Sequence, residues 1–141
     1  MASANLGRLT KRMADAYFGT GTFKLMLASA APSESDLDTF GFRSDITNEV
    51  AASGSYPTGG VTITCTVGAY DATNNRVAVT FGNPAPFTSA TISAAGCWIY
   101  KAIGSPGSDE VIAWSDFGGL VTSTAGTFTV TLSTPLYVNR A

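Results

Sequence analysis

Histidine is absent from the sequence, which removes the commonest general base near neutral pH and the commonest zinc ligand. The only two cysteines, Cys65 and Cys97, stand thirty-two positions apart. That spacing fits no zinc or iron–sulfur motif, and two cysteines are too few for a disulfide scaffold. Charged residues make up 13% of the chain, about half of the usual ~25%. The net charge is -2, so there is no basic stripe for a phosphate backbone and nucleic-acid binding is not expected. No apolar run approaches the ~20 residues that span a bilayer. The N-terminal residues carry Arg8, Lys11 and Arg12 but no apolar h-region, so neither a secretory signal nor a membrane role is expected. Lipidation signals are missing too, with Ala2 at the start and Asn139-Arg140-Ala141 at the end. A Gly-x-Ser-x-Gly elbow and a phosphate-binding glycine loop are both lacking. Together these absences predict a protein that is not an enzyme and has no catalytic residues, metal ligands or cofactor.

The sequence does supply one sizeable core. Of its 141 residues, 45% are hydrophobic, which is incompatible with a disordered chain and fits a single domain. With so little charge, the surface must be covered by Thr, Ser, Asn, Gly and Ala, as in β proteins that meet other proteins over broad neutral faces.

The first segment reads as a helix from Ser3 to about Phe18. Leu6, Leu9, Met13 and Ala16 or Tyr17 recur at three- and four-residue steps, forming an apolar stripe. Ser3 or Asn5 is positioned to cap it, and Gly19 with Gly21 to stop it. Such a stripe either folds back on the parent domain or docks on a neighbouring subunit. After Gly21 the period changes to two. Thr22–Ser29 carries Phe23, Leu25 and Leu27 in one phase. A long connection, Ala30 to Pro57, then reads as either a functional loop or a short helix plus an extended arm. Val61, Ile63, Cys65 and Val67 alternate with threonines, and the turn Asp71–Asn75 leads into Arg76–Phe81. Further strands are predicted at Ser89–Ser93, Ala95–Ala102, Glu110–Phe117 and Thr127–Ser133. Strands at this spacing predict a single antiparallel β-sandwich, jelly-roll or Ig-like. Residues 1–20 would form a helical extension and residues 21–141 the sandwich domain.

Three sets of side chains merit separate weighing. The carboxylates Glu34, Asp36, Asp38, Asp45, Glu49, Asp71, Asp109, Glu110 and Asp116 fall mostly in loops and turns, where Asp bonds backbone amides. Asp36-Leu37-Asp38 with Asp45 would gather oxygens for calcium, but the spaced ligands and glycine of an EF-hand are missing. Trp98 and Tyr100 share a strand phase, and Trp114 lies on a later strand. These aromatics are either buried in central strands or form a platform for a glycan or partner. Cys65 and Cys97 are either small apolar core residues or a bridge between facing strands.

An N-terminal helix precedes Thr22-Phe23-Lys24-Leu25-Met26-Leu27. Phe42-Arg43-Ser44-Asp45-Ile46-Thr47-Asn48-Glu49-Val50 and Gly54-Ser55-Tyr56-Pro57-Thr58-Gly59-Gly60-Val61 follow. Next come Tyr70-Asp71-Ala72-Thr73-Asn74-Asn75-Arg76-Val77 and Trp98-Ile99-Tyr100-Lys101. Ile112-Ala113-Trp114-Ser115-Asp116-Phe117-Gly118 and Gly126-Thr127-Phe128-Thr129-Val130 complete the series. This order of motifs resembles that of small virion proteins of tailed bacteriophages over about Leu6 to Leu136, with a departure at Thr134-Pro135-Leu136-Tyr137. The resemblance implies a structural part of the virion, assembled in the host cytoplasm, and first of all a capsid decoration (cement) protein bound to the major capsid protein. A neck, tail or fibre component is the alternative, and a glycan-binding module using Trp98, Tyr100 or Trp114 a more distant one. A homo-oligomer, taken as a trimer, is the expected state. The reducing cytoplasm favours thiols over a Cys65–Cys97 disulfide.

Overall fold

The computed structural model describes residues 6–140. A helix α1 (Gly7–Phe18) is followed by β1 (Thr22–Ala28), a short helix α2 (Glu34–Thr39) and a 3-10 turn at Arg43–Asp45. Then come β2 (Val61–Ile63), β3 (Cys65–Asp71), β4 (Arg76–Phe81), β5 (Phe87–Ala102), β6 (Glu110–Phe128) and β7 (Leu136–Asn139). The fold class is the expected one. It is mainly β, with two antiparallel sheets and a short N-terminal helix, consistent with a β-sandwich.

Two compact units form, one containing β1, β2, β5, β6 and the segment with α2, the other α1, β3, β4 and β7. The larger sheet has the order β2-β1-β5-β6. Its centre is β1 against β5, in register from Thr22↔Ala102 to Ala28↔Gly96. Residues of both phases are buried here, including Leu25 with Met26 and Cys97 with Trp98, so both faces of the sheet are covered along these strands. The single phase Phe23, Leu25, Leu27 is thus only half of what β1 buries.

Burying large side chains from both phases supplies most of the apolar stabilisation, at ~25 cal/mol per Å² removed from water. The smaller sheet has the order β3-β4-β7. Its hairpin turns where expected: Asp71 Oδ1 accepts from the amides of Thr73 (2.9 Å) and Asn74 (3.1 Å). Val77, Val79 and Phe81 are buried in one phase, as the alternation predicts.

Four expectations need correction. The run from Val61 to Val67 is not one strand: it breaks at Thr64, so that β2 pairs with β1 and β3 with β4. Strands Ser89–Ser93 and Ala95–Ala102 are one continuous β5, and β6 extends from Glu110 through Gly118 and Gly119 to Phe128. The strand expected at Thr127–Ser133 ends at Phe128, although burial still alternates through buried Val130. Side-chain phase is local, whereas a strand also needs a partner for its amides, and the final ladder is made by Leu136–Asn139 against β4.

The long connection is also no free arm. Ser29 N donates to Asn48 O (2.9 Å), Val50 N to Leu27 O (3.0 Å) and Ser55 N to Thr88 O (3.1 Å). These bonds tie it to β1 and β5.

Helix α1 begins at Gly7, so its expected start at Ser3 and the proposed caps Ser3 and Asn5 lie outside the described residues. It packs on β3, β4 and β7. Its packed face is not the apolar stripe. Thr10, Ala14 and Phe18 are buried, while Leu6 is 72%, Leu9 42% and Met13 55% exposed. Apart from Phe18 at its end, the inward face carries only the smaller Gly7, Thr10 and Ala14, which lets the helix lie close to the sheet. A Cβ on Gly7 would come within 2.5 Å of the Tyr70 ring, and Phe18 meets Phe81 edge-on at 6.4 Å.

Candidate assembly site

The densest polar cluster lies in the larger sheet's unit. Asp109 is buried, and its Oδ1 accepts from the amides of Ile103 (2.8 Å) and Gly104 (3.0 Å). Arg43 Nε donates to Asp109 Oδ2 at 3.0 Å, and the guanidinium carbon lies 5.2 Å from the centre of the Tyr100 ring. The Tyr100 hydroxyl donates to Gly59 O (2.6 Å). Glu49 Oε1 accepts from Gly59 N (2.5 Å) and from the Tyr56 hydroxyl (3.2 Å). Tyr56 in turn accepts from Leu27 N (2.9 Å).

These bonds fix the turn at Gly59 and Gly60 against β1. Gly60 has φ +75, and a Cβ there would fall 1.8 Å from Leu25 O, so only glycine fits. Burial alone would raise the Asp109 carboxyl, but the amides of Gly104 and Ile103 and the Arg43 guanidinium outweigh it and hold it below its ordinary value. Burial pushes both tyrosine hydroxyls up. A base for chemistry would need an unspent acceptor. Here Asp109 and Glu49 both accept from backbone amides, and among the described residues no buried side-chain polar atom lacks a partner. The cluster is a staple for the loop.

The remaining carboxylates are distributed as turn and cap groups. Asp36 closes a capping box with Ser33 at the start of α2. Asp45 accepts from the amides of Phe42 and Gly41, which hold its carboxyl below the ordinary value. Asp71 is held down chiefly by the Asn74 side chain, then by backbone amides. Asp116 accepts from Gly118 N (2.7 Å). Asp36, Asp38 and Asp45 do not form a cation site: among the described residues no group of three or more metal-ligating side chains converges.

Trp98 and Tyr100 are buried with Met26 and Ala28, with Trp114 packed against them at 5.0 Å from Trp98. The Trp98 and Tyr100 rings therefore present no face to solvent, whereas Trp114 is half-buried. Cys65 and Cys97 are thiols with no disulfide between them. Burial pushes the Cys97 thiol up to about 12, partly opposed by a hydrogen bond with Ser115.

Two groups of exposed apolar side chains bear on assembly. The first is Leu9 and Met13 on α1 with Leu6 at its N-cap, a stripe that sequence periodicity found while leaving open whether it folds back on the domain or docks on a neighbour. The second lies on the edge strand β6. Its start is covered, since Val111 N donates to Gly41 O and Phe42 bridges Glu110. Beyond Ile112 no described strand pairs with its outer side. Opposite Ala95 of β5, which lies alone between Ala94 and Gly96, β6 inserts Phe117, Gly118, Gly119 and Leu120 between Asp116 and Val121. This bulge interrupts the edge and leaves Leu120 and Val121 exposed. No sequence signal beyond the Gly118-Gly119 pair marks it.

No helix among the described residues is long and apolar enough to cross a membrane. Comparison of the chain with protein-family models, with curated proteins and with solved structures found no match.

Proposed function

We propose that this chain is a non-enzymatic structural component of a tailed-bacteriophage virion, a capsid decoration (cement) protein that stabilises the head by contacts with the major capsid protein. The observation that carries the reading is the exposed apolar surface, Leu9 and Met13 on α1 with Leu6 at its N-cap, together with Leu120 and Val121 on the β6 edge, beside faces that are already packed. Exposed large side chains aligned along one helix are a feature of docking surfaces, unlike isolated surface apolars. The order of motifs along the chain supports a virion part, and the charge-poor composition suits broad protein–protein faces. Many weak contacts repeated around a shell add through avidity, so no single contact has to be large.

The test is copy number in purified particles, by quantitative mass spectrometry against the major capsid protein. Hundreds of copies per particle are expected. Six, twelve or a small multiple would overturn the cement assignment in favour of a neck or tail position. Absence from particles would overturn the virion reading itself.

A further inference from the structure

We propose that copies of this chain associate head to tail, with helix α1 of one copy docking on helix α2 of the next. Two exposed surfaces are complementary in both charge and shape of pattern. On α1, Leu9 and Met13 are neighbours at a four-residue step, and beside them Arg8 and Arg12 form a second exposed row at the same step. Lys11 is already paired with Asp15, whereas Arg8 and Arg12 have no acidic partner among the described residues. On α2, Leu37 is exposed, and Glu34 stands three residues before it and four before Asp38, so that Glu34 lies between the two on the helix surface. Asp36 is occupied in the capping box, but Glu34 and Asp38 have no cationic partner among the described residues. Each surface therefore offers an exposed apolar centre with two unpaired charges four residues apart, and the charges are opposite.

The segregation extends further. Three of the chain's eight cations fall on α1, and five of its ten anions between Glu34 and Glu49. Two basic helices would repel one another, so α1 does not pair with α1. Because the two surfaces differ, the contact is heterologous, and it closes into a ring if the rotation between copies permits. The inference goes beyond the virion reading and does not depend on it: the contact belongs to the purified protein.

Sedimentation velocity of the full-length protein over a concentration series tests it. Wild type is expected to associate, more weakly at high salt because the exposed charges are screened. Arg8→Glu with Arg12→Glu is expected to weaken association about a hundredfold, the scale of like charges brought together across an interface. Glu34→Lys with Asp38→Lys is expected to do the same. All four substitutions in one chain restore complementarity and are expected to restore association. Circular dichroism melts confirm that each variant folds, since every changed side chain is exposed. A monomeric wild type, indifference of the oligomer to either double substitution, or failure of the quadruple variant to reassociate would each overturn the proposal. None of these outcomes bears on copy number in particles, so the two readings fail separately.

Discussion

Asp109 is the residue on which most local order depends, since one buried carboxylate receives two amides and a guanidinium. Asp109→Asn keeps the shape but removes the charge, and is expected to cost ~2–3 kcal/mol in urea unfolding at neutral pH, the range for hydrogen bonds to charged groups. The native carboxyl is held below its unfolded value of ~3.9, so its stabilisation is complete above that pH and is lost as pH falls towards the native value. The variant is expected to lose that part of the acid sensitivity, which unfolding curves between neutral and acid pH would reveal. Glu49→Ala releases Gly59 N and the Tyr56 hydroxyl together, with an expected cost of ~2 kcal/mol, partly recovered by Glu49→Gln. At Cys97, burial favours the neutral thiol, and only a thiolate reacts readily. A maleimide or disulfide reagent at mildly alkaline pH is therefore expected to label at most one thiol per folded chain, and two after denaturation. Labelling of Cys97 in the folded protein would contradict its placement.

At the scale of elements, α1 has two faces of opposite character, and mutations separate them. Ala14 is packed and Leu9 is open. Ala14→Leu is expected to destabilise by ~1–3 kcal/mol through overpacking, whereas Leu9→Ser is expected to change monomer stability by less than ~0.5 kcal/mol, as chemical denaturation at low protein concentration would measure. The reverse ranking would mean that the helix packs by its large residues after all. On β6, Gly118 has φ +79 and open space around a would-be Cβ. Gly118→Ala is therefore expected to cost ~1–2 kcal/mol from backbone strain alone. Much of the element pattern was legible in the sequence, because alternation of Val77, Val79 and Phe81, or of Phe128 and Val130, follows from the two-residue repeat of extended backbone. The helix was legible for the same local reason. Its orientation was not. A row of large apolar residues argues for burial only until a row of small ones permits a closer approach, and Gly7 against the Tyr70 ring exists only once β3 is in place.

For the molecule as a whole, charge is scarce and unevenly spread. The net of -2 conceals a basic first helix and an acidic stretch around α2. Association driven by such patches is steered over long range and weakened by salt, whereas contacts made by Leu6, Leu9 and Met13 persist at high salt. The salt dependence of sedimentation therefore separates the electrostatic from the apolar share of assembly. Edge pairing through β6 would add little, because the bulge at Phe117–Leu120 breaks the row of backbone groups that a flat edge would offer.

The sequence by itself determined the class of fold, since hydrophobic period is a local property that each strand carries regardless of its partners. It also determined that His-based chemistry is impossible, because the residue is missing. Tertiary structure alone decided that the strand run divides at Thr64, that the loop after β1 is stapled by Tyr56, Tyr100 and Glu49, and that Leu6, Leu9 and Met13 face outward. Each of these is a choice of partner among residues far apart in the chain, and the sequence pattern of any one segment does not encode who its neighbour is.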